Sequence, residues 1–221
     1  MLVLAQCDAT PAGTWAGAPD YPGFVASDAL HRALTEPGDP PVRALPPEAA
    51  RLLTSLAAPG RLAAHLRAVH DVASDLTAWL LRSYPVVGFD RAAVLFGAAT
   101  HDIGKIAHPR ELSEPGSDHE EAGYHLLLAE NIDQRLARFA RTHGSWDRPG
   151  NELDDLLVSL ADKVWKAKRV PDLEQLVVDR LAEATGEQPW QTFLKLDEQL
   201  EHLAAGADHR LDFQNQYPVA A

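Results

Sequence analysis

Ala98-Ala99-Thr100-His101-Asp102-Ile103-Gly104-Lys105 is the stretch that decides the fold. It closes an apolar run of Ala92, Val94, Leu95, Ala98 and Ala99 whose spacing predicts a helix over about 90–102. An imidazole and a carboxylate then stand side by side at the helix end, and Gly104 is expected to let the backbone turn sharply. Borderline divalent metals accept imidazole nitrogen and carboxylate oxygen together, and a bridging carboxylate holds two such ions close. For the dipeptide alone, a His-Asp hydrogen bond at a helix terminus is the simpler alternative.

Working outward, His65 and His70 compete for an upstream ligand position. Five residues separate them, so they point roughly 140° apart on a helix with 3.6 residues per turn and one site cannot readily use both. His65 lines up with Val69, Val72, Ala73, Leu76 and Leu80, whereas His70 continues toward Ser74 and Thr77; His65 is therefore chosen. Downstream, His119 shares a face with Ala122, Gly123, Leu126 and Leu127, small enough beside the ring for a metal or another helix to approach. His143 ends the stripe Leu136, Phe139 and Ala140 and precedes Gly144. Taken singly, His119 reads equally as a satisfied core residue and His143 as a favourable cation at a helix C-terminus. Asp162 is stronger, because Leu156, Leu157, Leu160 and Val164 on one side and Val158, Ala161 and Trp165 on another leave it almost surrounded by apolar residues. A carboxylate there must be paired, with an arginine as the natural partner, or bound to metal.

Composition bounds the function. With 221 residues, 46% of them hydrophobic, the chain can bury a full core as one domain. A formal charge of −12 argues against an extended nucleic-acid surface, while leaving room for a small phosphorylated partner held by a local basic pocket. The single Cys7 permits no intramolecular disulfide and fits a reducing cytoplasm. The start Met1-Leu2-Val3-Leu4-Ala5 does not read as a secretory signal, and no apolar run reaches the ~18 residues of a spanning helix, so a soluble cytoplasmic protein with no membrane partner is expected.

Residues 1–47 are interrupted by Pro19, Pro22, Pro37, Pro40, Pro41, Pro46 and Pro47, leaving space for one short helix near Ser27 to Leu34. They read as a Pro/Gly-rich wrapping arm or lid. Residues 48–205 have helical texture throughout, with helices expected at about 47–58, 61–83, 90–102, 118–130, 132–143, 151–169, 171–184 and 188–204. Ser117 with Glu120, and Asn151 with Asp154, look like capping boxes. Residues 206–221 read as a frayed tail. The fold class is all-α.

The ordered set His65, His101-Asp102, His119, His143 and Asp162 resembles the HD superfamily of metal-dependent phosphohydrolases. The likeness covers roughly residues 61–170 and includes His65-Leu66-Arg67-Ala68-Val69, the His119-Glu120-x-x-Gly123 helix start and Leu160-Ala161-Asp162-Lys163. The resemblance implies an HD-domain helical bundle in which His65, His101, Asp102 and Asp162 hold one metal. His119 and His143 would add a second, with Asp102 bridging. Iron, manganese, cobalt and zinc all suit such ligands. Gly144-Ser145-Trp146-Asp147 stands where cyclic-di-nucleotide HD relatives carry Gly-Tyr-Pro, which argues against cyclic di-GMP.

The implied activity is hydrolysis of a nucleotide or another small phosphate ester by a metal-activated water, with Asp102 and Lys105 catalytic. Lys105, Lys163, Lys166 and Trp146 are the expected substrate contacts. Two other classes share the pattern: mixed-valent diiron oxygenases use the same six ligands, and a silent sensor would keep the fold without the chemistry. The sequence leaves the oligomeric state open.

Overall fold

The computed structural model describes residues 28–217 and 219. They form ten α-helices and, among the described residues, no strand: α1 (Asp28–Thr35), α2 (Pro47–Ser55), α3 (Gly60–Ser83), α4 (Arg91–Thr100), α5 (Asp118–Ala129), α6 (Gln134–Thr142), α7 (Leu153–Val164), α8 (Pro171–Thr185), α9 (Pro189–Ala204) and α10 (Ala207–Asn215). Two short 3-10 turns, Ile103–Ile106 and Pro109–Leu112, link α4 to α5. None of these helices is long and apolar enough to cross a membrane.

The 24-residue α3 is the axis of the fold and is buried around most of its circumference. Its C-terminal half joins α4, α7, α8 and α9 in one apolar core containing Val72, Leu76, Leu80, Val94, Leu157, Val177 and Leu200. Its N-terminal half joins α1, α2, α5 and α10 in a second core containing Leu30, Leu53, Leu62, Leu66, Leu127 and Phe213. Helix α4 also divides its side chains, with Val94 and Ala98 in the first core and Phe96 and Ala99 in the second. Burying each such leucine or valine contributes about 1.5–3 kcal/mol, so the seam between the cores is held from both sides.

Several boundaries differ from expectation for identifiable reasons. The tail after Gly206 is not frayed: α10 packs inward, with Phe213 2% and Tyr217 1% exposed and the Arg67 guanidinium 5.0 Å from the Phe213 ring. Two aromatic residues four apart are too short a pattern to register as a helical face. The described part of the arm is also fastened, because buried Arg67 donates to the carbonyls of Ala33, Glu36, Val42 and Arg43. Residues 1–27 of the expected arm, with Cys7 and Trp15, lie outside the described residues. Helix α7 stops at Val164 rather than near residue 169, since Ala167 turns to φ +58°.

Neither expected capping box forms. Ser117 makes no cap hydrogen bond; the Glu111 carboxylate instead accepts from the backbone N–H groups of Asp118 and His119. Before α7 the box is Glu152 with Asp155, one residue further along than expected, while Asn151 donates to the Ser145 carbonyl.

Candidate metal centre

All six residues singled out from the sequence converge on one point at the seam. His65 comes from the second turn of α3, His101 caps the C-terminus of α4, Asp102 follows it, His119 opens α5, His143 caps α6 and Asp162 lies near the end of α7. Asp102 is the centre. Its Oδ2 lies 3.1 Å from His65 Nε2 and 3.6 Å from His101 Nε2. Its Oδ1 lies 2.9 Å from His119 Nε2 and 3.4 Å from His143 Nε2. Asp162 closes the first half, with Oδ1 3.4 Å from His101 Nε2 and 3.8 Å from His65 Nε2.

Backbone packing makes this possible. Gly104 is required for space rather than for an unusual backbone angle: a Cβ there would overlap the His119 carbonyl oxygen and come within 2.5 Å of Gly123 N. The 3-10 turn after Asp102 therefore lies directly on α5, which is what brings His119 to Asp102. The small residue expected beside His119 serves a backbone approach rather than a metal.

The outer nitrogens of the rings differ. His101 Nδ1 is 3.0 Å from the Ala98 carbonyl, and His143 Nδ1 is 3.0 Å from the Ala140 carbonyl. His119 Nδ1 meets the Glu111 carboxylate. Each partner is an acceptor for an Nδ1–H, which would leave Nε2 to ligate a cation. His65 Nδ1 faces the side-chain amide of Gln214 at 3.1 Å.

The electrostatics follow from burial and these neighbours. Burial alone would raise the Asp102 carboxyl, but the imidazoles of His101, His119, His143 and His65 outweigh it and hold the group well below the usual carboxylate range. Asp162 behaves alike: burial pushes it up, and His101 and Lys163 bring it far below that range. Burial lowers His119, yet Asp102 and Glu111 raise it above an ordinary histidine. A donor set of four imidazoles around the buried Asp102 and half-buried Asp162 carboxylates fits a divalent cation. Moreover, the buried Nε2 atoms of His65 and of His101 face only the Asp102 and Asp162 carboxylates, an arrangement that a cation held between them would satisfy. Two groups of three meet at Asp102, namely His65 with His101 and His119 with His143.

A cavity of about 250 Å³ opens beside Asp102, lined among others by Arg61, Lys105, Glu111, Trp165, Lys166 and Gln214. Lys105 and Lys166 reach it as expected, and Lys105 Nζ is 2.6 Å from Asp102 Oδ2. Two expected substrate contacts do not. Trp146 packs against the apolar core instead, because the α6–α7 connection carries it away from the opening. Lys163 is held by Asp162 Oδ2 at 2.6 Å and does not line the cavity. His70 is also not on a polar surface: it is only 6% exposed, since almost all of α3 is covered. His31, His202 and His209 are exposed, whereas His108 is half-buried beside Glu111 and Asp118.

Sequence reading missed four residues of the site. Arg61 lies four residues before His65, and Trp165, whose ring meets His65 edge-on at 4.9 Å, lies three after Asp162; helical spacing could have found both. Glu111, in a 3-10 turn, and Gln214, from α10, carry no local signal.

The fold and the cluster define a class of helical proteins that gather histidines and aspartates around one shared carboxylate. The family model of the HD domain matches residues 62–167, a span that contains all six clustered residues. Over this span the chain is similar to the HD domain, and its clustered histidines and aspartates are compatible with the metal site of that domain. No curated protein and no solved structure matches the chain.

Proposed function

We propose that this protein is a metal-dependent phosphohydrolase acting on a nucleotide or another small phosphate ester in a reducing cytoplasm. The observation that carries the reading is the division of Asp102, with one oxygen toward His65 and His101 and the other toward His119 and His143. His65, His101, Asp102 and Asp162 would hold one ion, and Asp102, His119 and His143 a second, with iron, manganese, cobalt or zinc suited to these donors. When bound, such ions supply Lewis acidity and a water whose pKa is lowered toward ~7.

The chain supplies the rest. Lys105 faces both Asp102 and the cavity, where its ammonium would neutralise a nonbridging phosphoryl oxygen as charge develops. Arg61 and Lys166 add positive charge to a wall that also carries Asp102, Glu111 and Glu114, so bound cations would tip the pocket toward anions. Trp165 gives that wall an apolar ring beside His65. At about 250 Å³ the cavity suits a phosphoryl group with a small alcohol portion, and a bulkier leaving group would extend into solvent.

The test is phosphate release across a panel of nucleotides and small phosphomonoesters under strict anaerobiosis, with manganese or cobalt replacing iron. Turnover that persists supports hydrolysis. Substrate-dependent oxygen uptake by the iron-loaded protein, with no ester hydrolysed, would replace this reading by the diiron oxygenase. Neither activity over the full panel would favour the silent sensor.

A further inference from the structure

Three of the four clustered imidazoles have an acceptor at Nδ1, and His65 is the exception. Its Nδ1 faces Gln214, which projects from α10 and is 9% exposed. The other end of that amide faces Arg61, whose Nη2 and Nε lie 2.9 and 3.0 Å away. Arginine offers only donors, so the amide oxygen must turn to Arg61 and the amide nitrogen to His65. Arg61 is itself fixed, because Nη1 also donates to the Gln214 backbone carbonyl at 3.2 Å and to Asn215 Oδ1 at 2.9 Å. An amide N–H pointing at Nδ1 makes that nitrogen an acceptor and places the ring hydrogen on Nε2, which faces Asp102 Oδ2 at 3.1 Å.

We infer that Gln214 is a positioning residue that sets the tautomer of His65 against metal ligation, so that the half-site of His65, His101, Asp102 and Asp162 is the weaker and more readily emptied of the two. The inference rests on the metal-binding reading above. For His65 Nε2 to ligate, its hydrogen must move to Nδ1, and the Gln214 amide must then rotate its oxygen toward His65 and its nitrogen against the Arg61 guanidinium. That donor-to-donor contact opposes filling of the half-site. A carboxylate at this position has no such conflict, since it accepts from Arg61 and from His65 Nδ1–H together. Gln214→Glu therefore strengthens the site, whereas most changes around a ligand weaken it.

The experiment uses the full chain and zinc, with calorimetric titration of the wild type, Gln214→Glu and Gln214→Leu, and nitrogen NMR of the histidine rings in the metal-free proteins. Metal-free wild type is expected to carry the His65 hydrogen on Nε2, and Gln214→Glu to move it to Nδ1. The weaker zinc site should tighten about tenfold in Gln214→Glu, with Gln214→Leu between the two. Two zinc ions bound with equal affinities in wild type and Gln214→Glu would overturn this inference alone, as would an Nδ1–H tautomer in the metal-free wild type. A wild type that binds no zinc would overturn the metal reading as well. Should Gln214→Glu fail to fold, the wild-type tautomer decides.

Discussion

Replacing His70 by leucine should make the protein less sensitive to acid. The imidazole is 6% exposed, and its Nδ1 is buried without a hydrogen-bond partner. Burial first, and then the charges of Arg43, Arg91 and Arg67, lower its pKa from 6.5 to about 4. Between these values the unfolded chain binds a proton at His70 and the folded chain does not, so stability rises with pH across the window. Conversely, stability is lost as pH falls from about 6.5 and the loss is complete below about 4. A shift of about 2.5 units at ~1.36 kcal/mol per unit corresponds to about 3 kcal/mol. Leucine has nearly the same bulk and nothing to protonate. Urea unfolding at steps between pH 7.5 and 4, with chelator present throughout, would show the stability difference moving by about 3 kcal/mol in favour of His70→Leu as pH falls. All other titrating groups are common to both proteins and cancel. Parallel stability curves would refute the argument, because they would mean that the folded protein protonates His70 as easily as the unfolded chain does.

Asp102→Ala should lose most bound metal from both halves, since both groups of histidines converge on that carboxylate; elemental analysis checks it, and full occupancy would contradict the assignment. His65→Ala should impair metal binding far more than His70→Ala, a comparison read by the same analysis, because only His65 faces Asp102. Lys105→Ala should leave metal content intact while lowering kcat/KM for a phosphate ester by roughly 10–100-fold, as expected when one charge-stabilising donor is removed. Gly104→Ala should cost about 1–3 kcal/mol in thermal or urea unfolding, because its methyl group collides with the backbone of α5.

The helical class and the six clustered residues were legible because their signals are local. His101-Asp102 at the end of an apolar run, or Asp162 within one, states its burial through the neighbours that share its helix face. His65 faces Asp102, but His70 does not lie on a polar face. Ser74 and Thr77 marked a polar face in sequence, yet α3 is covered on that side too, and Thr77 turns its hydroxyl to the Ala73 carbonyl. The substrate side was less legible. Lys163 and Trp146 lie close to ligands along the chain, but a neighbouring carboxylate captures the first and core packing the second. Glu111 and Gln214 act through contacts made after folding, across eight residues to His119 and 149 to His65, and no periodicity encodes them.

Ions held at the seam between the two cores would tie the stability of the protein to their supply. Asp162 stands on a helix of one core, His65 and His119 on segments of α3 and α5 that pack in the other, and any cation gripped by these groups would bind the folded chain and not the unfolded one. At a free concentration 100 times its dissociation constant, one such ion adds about 2.7 kcal/mol to stability. Scarcity would thus remove a rivet from the architecture at the same moment that it removes the reagent. The metal-free protein would then be the one more open to proteolysis.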